Sequence, residues 1–316
     1  MQDTIYDVIM IGGGPSALSA AVYTAREDLC TLIVEKAVVG GMAAITDQID
    51  NYPGFANGVP GMELADQLQK QAERFGATIE YGTAESITRD NGTLRVATDT
   101  GAFRARAVLI ATGSDYSKIN VPGEAEYYGR GVHYCATCDG AFYRDKKLAV
   151  VGGGNSGVQE TIFLTRFASH IDLVVRSTVK ASSVLQKELQ TYIDSGKVTV
   201  HVGTTISEIK ATNGKVSSVD IQSSGTTSEL VVDGVFVFVG LKPNTQFLAG
   251  SSVELDAQGL IKTDETYHTA MRGVFASGDV RSGATMQVAS AVGEGASAAL
   301  AIRHYIEDTH RPTAND

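Results

Sequence analysis

Cys135 and Cys138 stand two residues apart in the segment Cys135-Ala136-Thr137-Cys138-Asp139-Gly140. That spacing permits a disulfide to open and close within one turn of chain. Two glycine-rich turns flank the chemistry. The first follows the apolar run Val8-Ile9-Met10-Ile11 as Gly12-Gly13-Gly14-Pro15-Ser16-Ala17, and the second follows Leu148-Ala149-Val150-Val151 as Gly152-Gly153-Gly154-Asn155-Ser156-Gly157. Each passes from an apolar strand into a G-x-G-x-x-A/G turn, where missing side chains let backbone N–H groups approach a pyrophosphate at a helix N-terminus. Two such turns imply two nucleotide-sized ligands, and with the cysteines they imply electron traffic between dinucleotides and sulfur.

The elements that must position these groups are two βαβ units. The first has a strand over 5–11, a helix through residues 17–24 and a strand over 31–35 that ends in Glu35. This acid lies about 20 residues past the turn, where a carboxylate accepts from a ribose 2′-OH. It suits the adenosine of FAD or NAD and opposes a 2′-phosphate. The second unit runs from Leu148 to Arg176, and its second strand, residues 171–175, is followed by Arg176 instead of an acid. Arg176 is either a partner for a 2′-phosphate or an ordinary surface charge.

The strand at Val108-Leu109-Ile110-Ala111 ends in Thr112-Gly113, and the run Val235–Val239 ends in Gly240 before Lys242-Pro243-Asn244. These points mark where the chain leaves one domain and returns to it. The sequence therefore predicts an α/β protein with two Rossmann-like, three-layer ββα dinucleotide-binding domains, the second inserted into the first. Residues 1–114 and 245–316 form the discontinuous first dinucleotide-binding domain, to which the family resemblance described below assigns FAD, and 115–244 form the inserted domain that carries the cysteine pair. Alternating runs near 78–106 and 198–232 read as antiparallel strands attached to each domain.

Composition bounds the rest. At 316 residues, two domains are the default. No apolar run approaches the about 18 residues of a membrane span, and residues 1–6 carry neither a basic leader nor a cleavable apolar stretch, so a soluble cytoplasmic protein is expected. The 26 Lys and Arg against 36 Asp and Glu, a formal charge of −10, argue against nucleic-acid binding. Three cysteines do not make a secreted disulfide framework. Cys30, leading into Leu32-Ile33-Val34, is expected to pack as an inert small hydrophobe. Cys135 and Cys138 with His133 could supply part of a zinc site, but no second cysteine pair exists to complete it. His170, His201, His268, His304 and His310 are scattered and read as solvated or capping groups.

With the double glycine motif, Ala111-Thr112-Gly113, the Cys-Ala-Thr-Cys-Asp-Gly segment and the late Gly278-Asp279 all in order, the chain strongly resembles low-molecular-weight thioredoxin reductases over almost its whole length. The resemblance implies a dimeric FAD-dependent thiol-disulfide oxidoreductase that reduces a thioredoxin-like protein disulfide. It implies FAD contacts from Gly12, Gly14, Pro15, Ser16, Glu35, Lys36, Gly41, Met42, Asn51, Ala84, Ala111, Thr112, Gly113, Gly278, Asp279, Met286, Gln287 and Val288. A second dinucleotide would meet Gly152, Gly154, Asn155, Ser156 and Arg176. Cys138 matches the cysteine nearer the flavin, Cys135 the one that attacks the substrate, and Asp139 the acid that manages protons. A carboxylate beside the pair can indeed exchange protons while thiol alternates with thiolate.

The chain departs from that family at the second site. NADPH-using members carry His-Arg-Arg after the second strand of the inserted domain and another Arg beyond it; here the stretch reads Val175-Arg176-Ser177-Thr178-Val179-Lys180-Ala181. Charge-assisted contacts to phosphate contribute about 1.5–3 kcal/mol each, so NADPH should bind weakly unless Lys180 substitutes. NADH lacks an acid for its ribose, so the second ligand stays open among NADPH, NADH and a second FAD, and ferredoxin is an alternative donor. Met42 and Met286 also stand where the family usually has Gln and Arg. A non-enzymatic flavin redox sensor is the remaining alternative.

Overall fold

A computed structural model describes residues 4–46, 48–90 and 92–310, apart from the side chain of His310. The readings made for residues 1–3 and for the His310 ring lie outside the described residues. The chain divides into two compact units, Met1–Asp115 with Lys242–Asp316, and Tyr116–Leu241.

In the first unit β1 (Ile5–Ile11), α1 (Pro15–Arg26), β2 (Thr31–Glu35), α2 (Gly41–Ala44), α3 (Gly61–Arg74) and β3 (Thr78–Tyr81) precede β4 (Ala84–Asp90), β5 (Thr93–Thr98) and β6 (Gly101–Ile110). β7 (Ser114–Tyr116) then leads to the second unit, with β8 (Val132–His133), α4 (Ala136–Asp139) and a 3-10 turn over Gly140–Tyr143. The βαβ core follows as β9 (Lys147–Val151), α5 (Asn155–Leu164), β10 (His170–Val175), α6 (Ser183–Asp194) and β11 (Val198–Val202). A three-stranded antiparallel sheet of β12 (Thr204–Thr212), β13 (Lys215–Ser223) and β14 (Thr226–Val231) comes next, then β15 (Gly234–Val237). β16 (Leu241–Pro243) pairs with β7, and β17 (Val274–Ala276) and α7 (Val288–His310) complete the first unit.

The first sheet has the order β3-β2-β1-β6-β5-β4, with β17 also on β6. β1 pairs in parallel with β2 and β6, while β4, β5 and the start of β6 form an antiparallel meander. A strand covered on both faces reads as an unbroken apolar run. In β1, Val8 and Met10 point into a core shared with α1, α3 and α7, whereas Ile9 and Ile11 point into a core shared with the meander. The second unit repeats this with a parallel sheet β11-β10-β9-β15-β8. Leu148 and Val150 face the helices with Val158 and Leu164, and Ala149 and Val151 face β12–β14 with Ile206 and Val219. Each unit is thus the three-layer α/β sandwich that its periodicity predicted.

Two strands differ from the sequence reading. β3 and β11 fall inside the stretches read as antiparallel, yet each pairs in parallel, at the outer edge of its unit's parallel sheet. An edge strand is half-covered, so its residues alternate like those of a meander. Only its partner in space, which the local pattern does not encode, separates the two.

Candidate functional site

The first glycine turn closes where β1 and β6 end side by side. A Cβ on Gly12, whose φ is +97°, would lie 2.5 Å from the Ala111 carbonyl oxygen, so only glycine lets the chain pass. Gly14 then N-caps α1 with Pro15 in its first turn, and no side chain caps that N-terminus. A Cβ on Gly14 would meet open space, and one on Gly41 would lie 3.6 Å from the Gly14 Cα. Bare backbone, uncapped helix amides and open space together form a cradle for an anion at the positive end of the helix.

The buried Glu35 carboxylate is already oriented: it accepts from Gly13 N at 2.6 Å and from Ala37 N at 2.8 Å. A carboxylate has about four lone-pair positions, so acceptor positions remain on it for a ligand's hydroxyls. Ser16 meets Ser277 at 2.7 Å, which brings Gly278 and Asp279 to the same helix. Asn51 donates to the Gln287 side chain at 3.0 Å across 236 residues of sequence. Gln287 donates in turn to the Met286 carbonyl, and Met286 sits at φ +55° just ahead of Val288, where α7 starts. Thr112 and Gly113 are tied to Asn244 through backbone and side-chain bonds. Met42 is half-buried in α2, and its carbonyl accepts from Thr46. Lys36 is exposed, and Ala84 packs against the meander core, so no contact among the described residues ties either to the turn.

Sequence reasoning missed the groups that hold Gly278-Asp279. Glu294 on α7 accepts from Gly278 N at 2.8 Å and pairs with Arg281 at 2.5 Å. Nothing local in the sequence announces this, because the partner lies in a different element. The Asp279 carboxylate takes no hydrogen bond from the described residues, and burial, followed by the Glu294 charge, pushes its pKa up to about 6. A half-buried carboxylate without donors fits a ligand that brings hydroxyls to it.

The second cradle repeats the first. A Cβ on Gly152 would lie 2.3 Å from the Phe238 carbonyl oxygen, and one on Gly157 would lie 2.3 Å from the Gly152 oxygen. Gly154 N-caps α5 with no side-chain cap and has open space where a Cβ would stand. Asn155 accepts from Ser182 N, while Ser156 is exposed. Arg176 and Lys180 are exposed past the end of β10, without an ion-pair partner among the described residues, and Lys180 N donates to the Gly153 carbonyl at 2.7 Å.

The cysteine pair is a disulfide with Cα atoms 5.3 Å apart. Cys135 caps α4, and its sulfur accepts from Cys138 N at 3.2 Å. Asp139, one turn on, lies 3.1 Å from His133 Nδ1, and His133 Nε2 lies 2.7 Å from the Tyr143 hydroxyl. Burial, with the Asp139 and Asp233 charges adding to it, pushes the Tyr143 phenol above its usual range. His133 thus spends both ring nitrogens within the protein. Among the described residues no group of three or more His, Cys, Asp or Glu side chains is set to hold a metal ion.

Cys30 corrects the sequence reading. It is exposed instead of packed, because it precedes β2 and only the following residues enter the core. Its thiol is nonetheless held protonated, since partial burial and then the Asp7 carboxylate push its pKa up.

Residues 6–295 match the family described as pyridine nucleotide-disulphide oxidoreductase. The chain is 41% identical over 310 residues to a thioredoxin reductase of Bacillus subtilis, covering 97% of this chain and 96% of that one. It is 39% identical to a thioredoxin reductase of Treponema pallidum, over 97% and 99% of the two chains. The crystal structure of a Streptococcus pyogenes thioredoxin reductase superposes with a TM-score of 0.91 at 38% identity, covering 97% of this chain and all of that one.

The raised Asp279 carboxyl gives a stability prediction. Its proton is held more tightly folded than unfolded, so stability falls as pH rises from the ordinary carboxylate range through about 6. In protein stripped of cofactor, Asp279→Asn should leave stability unchanged at pH near 4. It should raise stability by roughly 2–3 kcal/mol above pH 6, as urea unfolding at the two pH values would measure.

Proposed function

The chain belongs to the pyridine nucleotide-disulphide oxidoreductase family and within it to the low-molecular-weight thioredoxin reductases, and from that premise we propose how its residues divide the work. It is a flavoprotein disulfide oxidoreductase. We assign residues 1–114 and 245–316 to FAD, residues 115–244 to the second dinucleotide and the redox cysteines, and a thioredoxin-like disulfide as substrate. FAD bound in the first cradle supplies a two-electron carrier that can exchange its pair with a disulfide.

The single observation that carries the division of labour between the cysteines is the Cys138 N–H directed at the Cys135 sulfur. A donor aimed at sulfur favours thiolate over thiol, which supports Cys135 as the attacking group. Once the pair is reduced, the Cys135 thiolate attacks a sulfur of the partner disulfide and forms a mixed disulfide, while the other partner sulfur leaves. Cys138 then attacks the Cys135 sulfur, closing their disulfide and releasing the partner as a dithiol. Asp139 takes and returns the protons that thiol and thiolate exchange.

In the first cradle, Gly12, Gly14 and the α1 amides would hold the pyrophosphate, Glu35 the ribose, and Asp279 the ribityl hydroxyls. In the second, a pyridine nucleotide would lie on the α5 amides. Arg176 and Lys180 would share its 2′-phosphate, and the bond from Lys180 N to the glycine turn supports placing that cation beside the ligand. Two cations in place of three arginines make a thinner clamp, so NADPH is the proposed donor at reduced affinity. A homodimer follows the family pattern. No helix among the described residues is long and apolar enough to cross a membrane.

Cys135→Ser should keep bound FAD and lose thioredoxin-disulfide reduction by at least about 1,000-fold in kcat, because the nucleophile itself is gone. Yellow protein with intact turnover would remove Cys135 from its role. Arg176→Ala and Lys180→Ala should each raise KM for NADPH about 10–100-fold, the loss of one charge-assisted phosphate contact, with KM for NADH unchanged. Steady-state kinetics with both nucleotides checks this.

A further inference from the structure

We propose that His133 is a positioning residue of the redox centre, holding the Asp139 carboxylate in the orientation from which it serves Cys135 and Cys138. This rests on the proton-handling assignment of Asp139 above. The arrangement is a line of three groups: Asp139 Oδ2 to His133 Nδ1 at 3.1 Å, and His133 Nε2 to the Tyr143 hydroxyl at 2.7 Å. Asp139 and Tyr143 come from consecutive turns, and His133 comes from β8, so the bridge ties the cysteine-bearing turn to the parallel sheet.

The proton positions follow from what each group can offer. A carboxylate only accepts, so Nδ1 carries hydrogen, and Nε2 then accepts from the Tyr143 O–H. If the ring gains a second proton, Nε2 donates and the phenol oxygen accepts. The ring therefore keeps both bonds in either charge state, which a hydroxyl at its far end allows and a carbonyl would not. Packing fixes the plane as well. The imidazole stacks on Phe236 at 5.1 Å and 28°, and Tyr143 meets both rings edge-on at 5.3 and 5.5 Å. His133 and Phe236 are register partners between β8 and β15, so the strand pairing itself sets the ring's position.

Other charges approach this line without joining it. Asp233, just ahead of β15, acts on Tyr143 and is paired with Lys146 at 3.6 Å. Arg144 lies over the Phe167 ring, and Glu160 belongs to α5, which packs on α4. Asp139 is the carboxylate bonded to the imidazole. A histidine that merely filled the core would leave the Asp139 carboxyl free to turn, whereas one that donates to it holds its orientation.

The test uses the FAD-loaded full-length chain, reduced with dithiothreitol, and follows iodoacetamide alkylation of Cys135 by mass spectrometry as a function of pH. Asp139→Asn should abolish the acidic limb of the profile. His133→Phe, which keeps the packing on Phe236 but has no donor, should slow alkylation on that limb about 10-fold, because the carboxyl loses the donor that orients it toward the cysteines. His133→Asn should restore it, since the amide N–H stands near the Nδ1 position. His133→Phe combined with Asp139→Asn should match Asp139→Asn alone. A His133→Phe profile identical to the parent's, with Asp139→Asn altered, overturns the proposal and leaves the Asp139 assignment standing. Unaltered profiles in both overturn the two together, and additive effects in the double variant also overturn it. If His133→Phe does not fold, Tyr143→Phe decides: a smaller loss of rate on that limb supports the proposal, and an unchanged profile overturns it.

Discussion

One steric constraint recurs at the centre of both units: a strand must turn into a helix within contact distance of a neighbouring strand's carbonyl. A Cβ would lie 2.5 Å from Ala111 O at Gly12 and 2.3 Å from Phe238 O at Gly152, well inside van der Waals contact. Absence of the side chain is what allows the following helix to begin uncapped, with its amides directed into open space. The buried strands supply the rigidity. Val8 to Ile11 and Leu148 to Val151 fill cores on both faces of their sheets, so the turns that follow them are held by packing on either side. The same geometry that forbids a side chain leaves each helix N-terminus bare, as an anion would need it.

Polar groups separate into those that serve the fold and those left for chemistry. Glu124 takes three hydrogen bonds, from Ile119 N, Asn120 N and the Tyr134 hydroxyl, at 2.9, 2.6 and 2.9 Å. Tyr134 is adjacent to Cys135, so this buried carboxylate anchors the approach to the cysteine turn from one side while His133 anchors it from the other. Asp279 is the contrasting case, with no donor among the described residues and a carboxyl pushed up to about 6. A carboxylate that the protein buries without donors is stabilised by whatever ligand brings them.

The fold class and the chemical identity of the site were legible because both are written locally. Glycine spacing, apolar runs and the Cys-Ala-Thr-Cys-Asp-Gly segment are short-range patterns, and they led to two three-layer α/β units and, through the family resemblance they carry, to a flavin-dependent disulfide oxidoreductase. What escaped the sequence was written in three dimensions. The meeting of Asn51 with Gln287 spans 236 residues, and Glu294 reaches Gly278 from another element. The parallel pairing of β3 and β11 depends on a neighbour in space. Cys30 failed as a buried hydrophobe because the apolar run after it marks where the core begins, one residue too late to cover its own side chain. The sequence offered no role for His133 once the zinc reading was set aside, and its partners Tyr143 and Asp139 appear only in the fold.

The central claim is that the Cys135–Cys138 disulfide and one bound flavin form a single two-centre electron store. Anaerobic dithionite titration of the FAD-loaded protein, followed by flavin absorbance, measures this directly. The account predicts uptake of two electron pairs per chain before the flavin is fully reduced, one for the isoalloxazine and one for the disulfide. Full bleaching after a single pair, with both cysteines still oxidised, would contradict it.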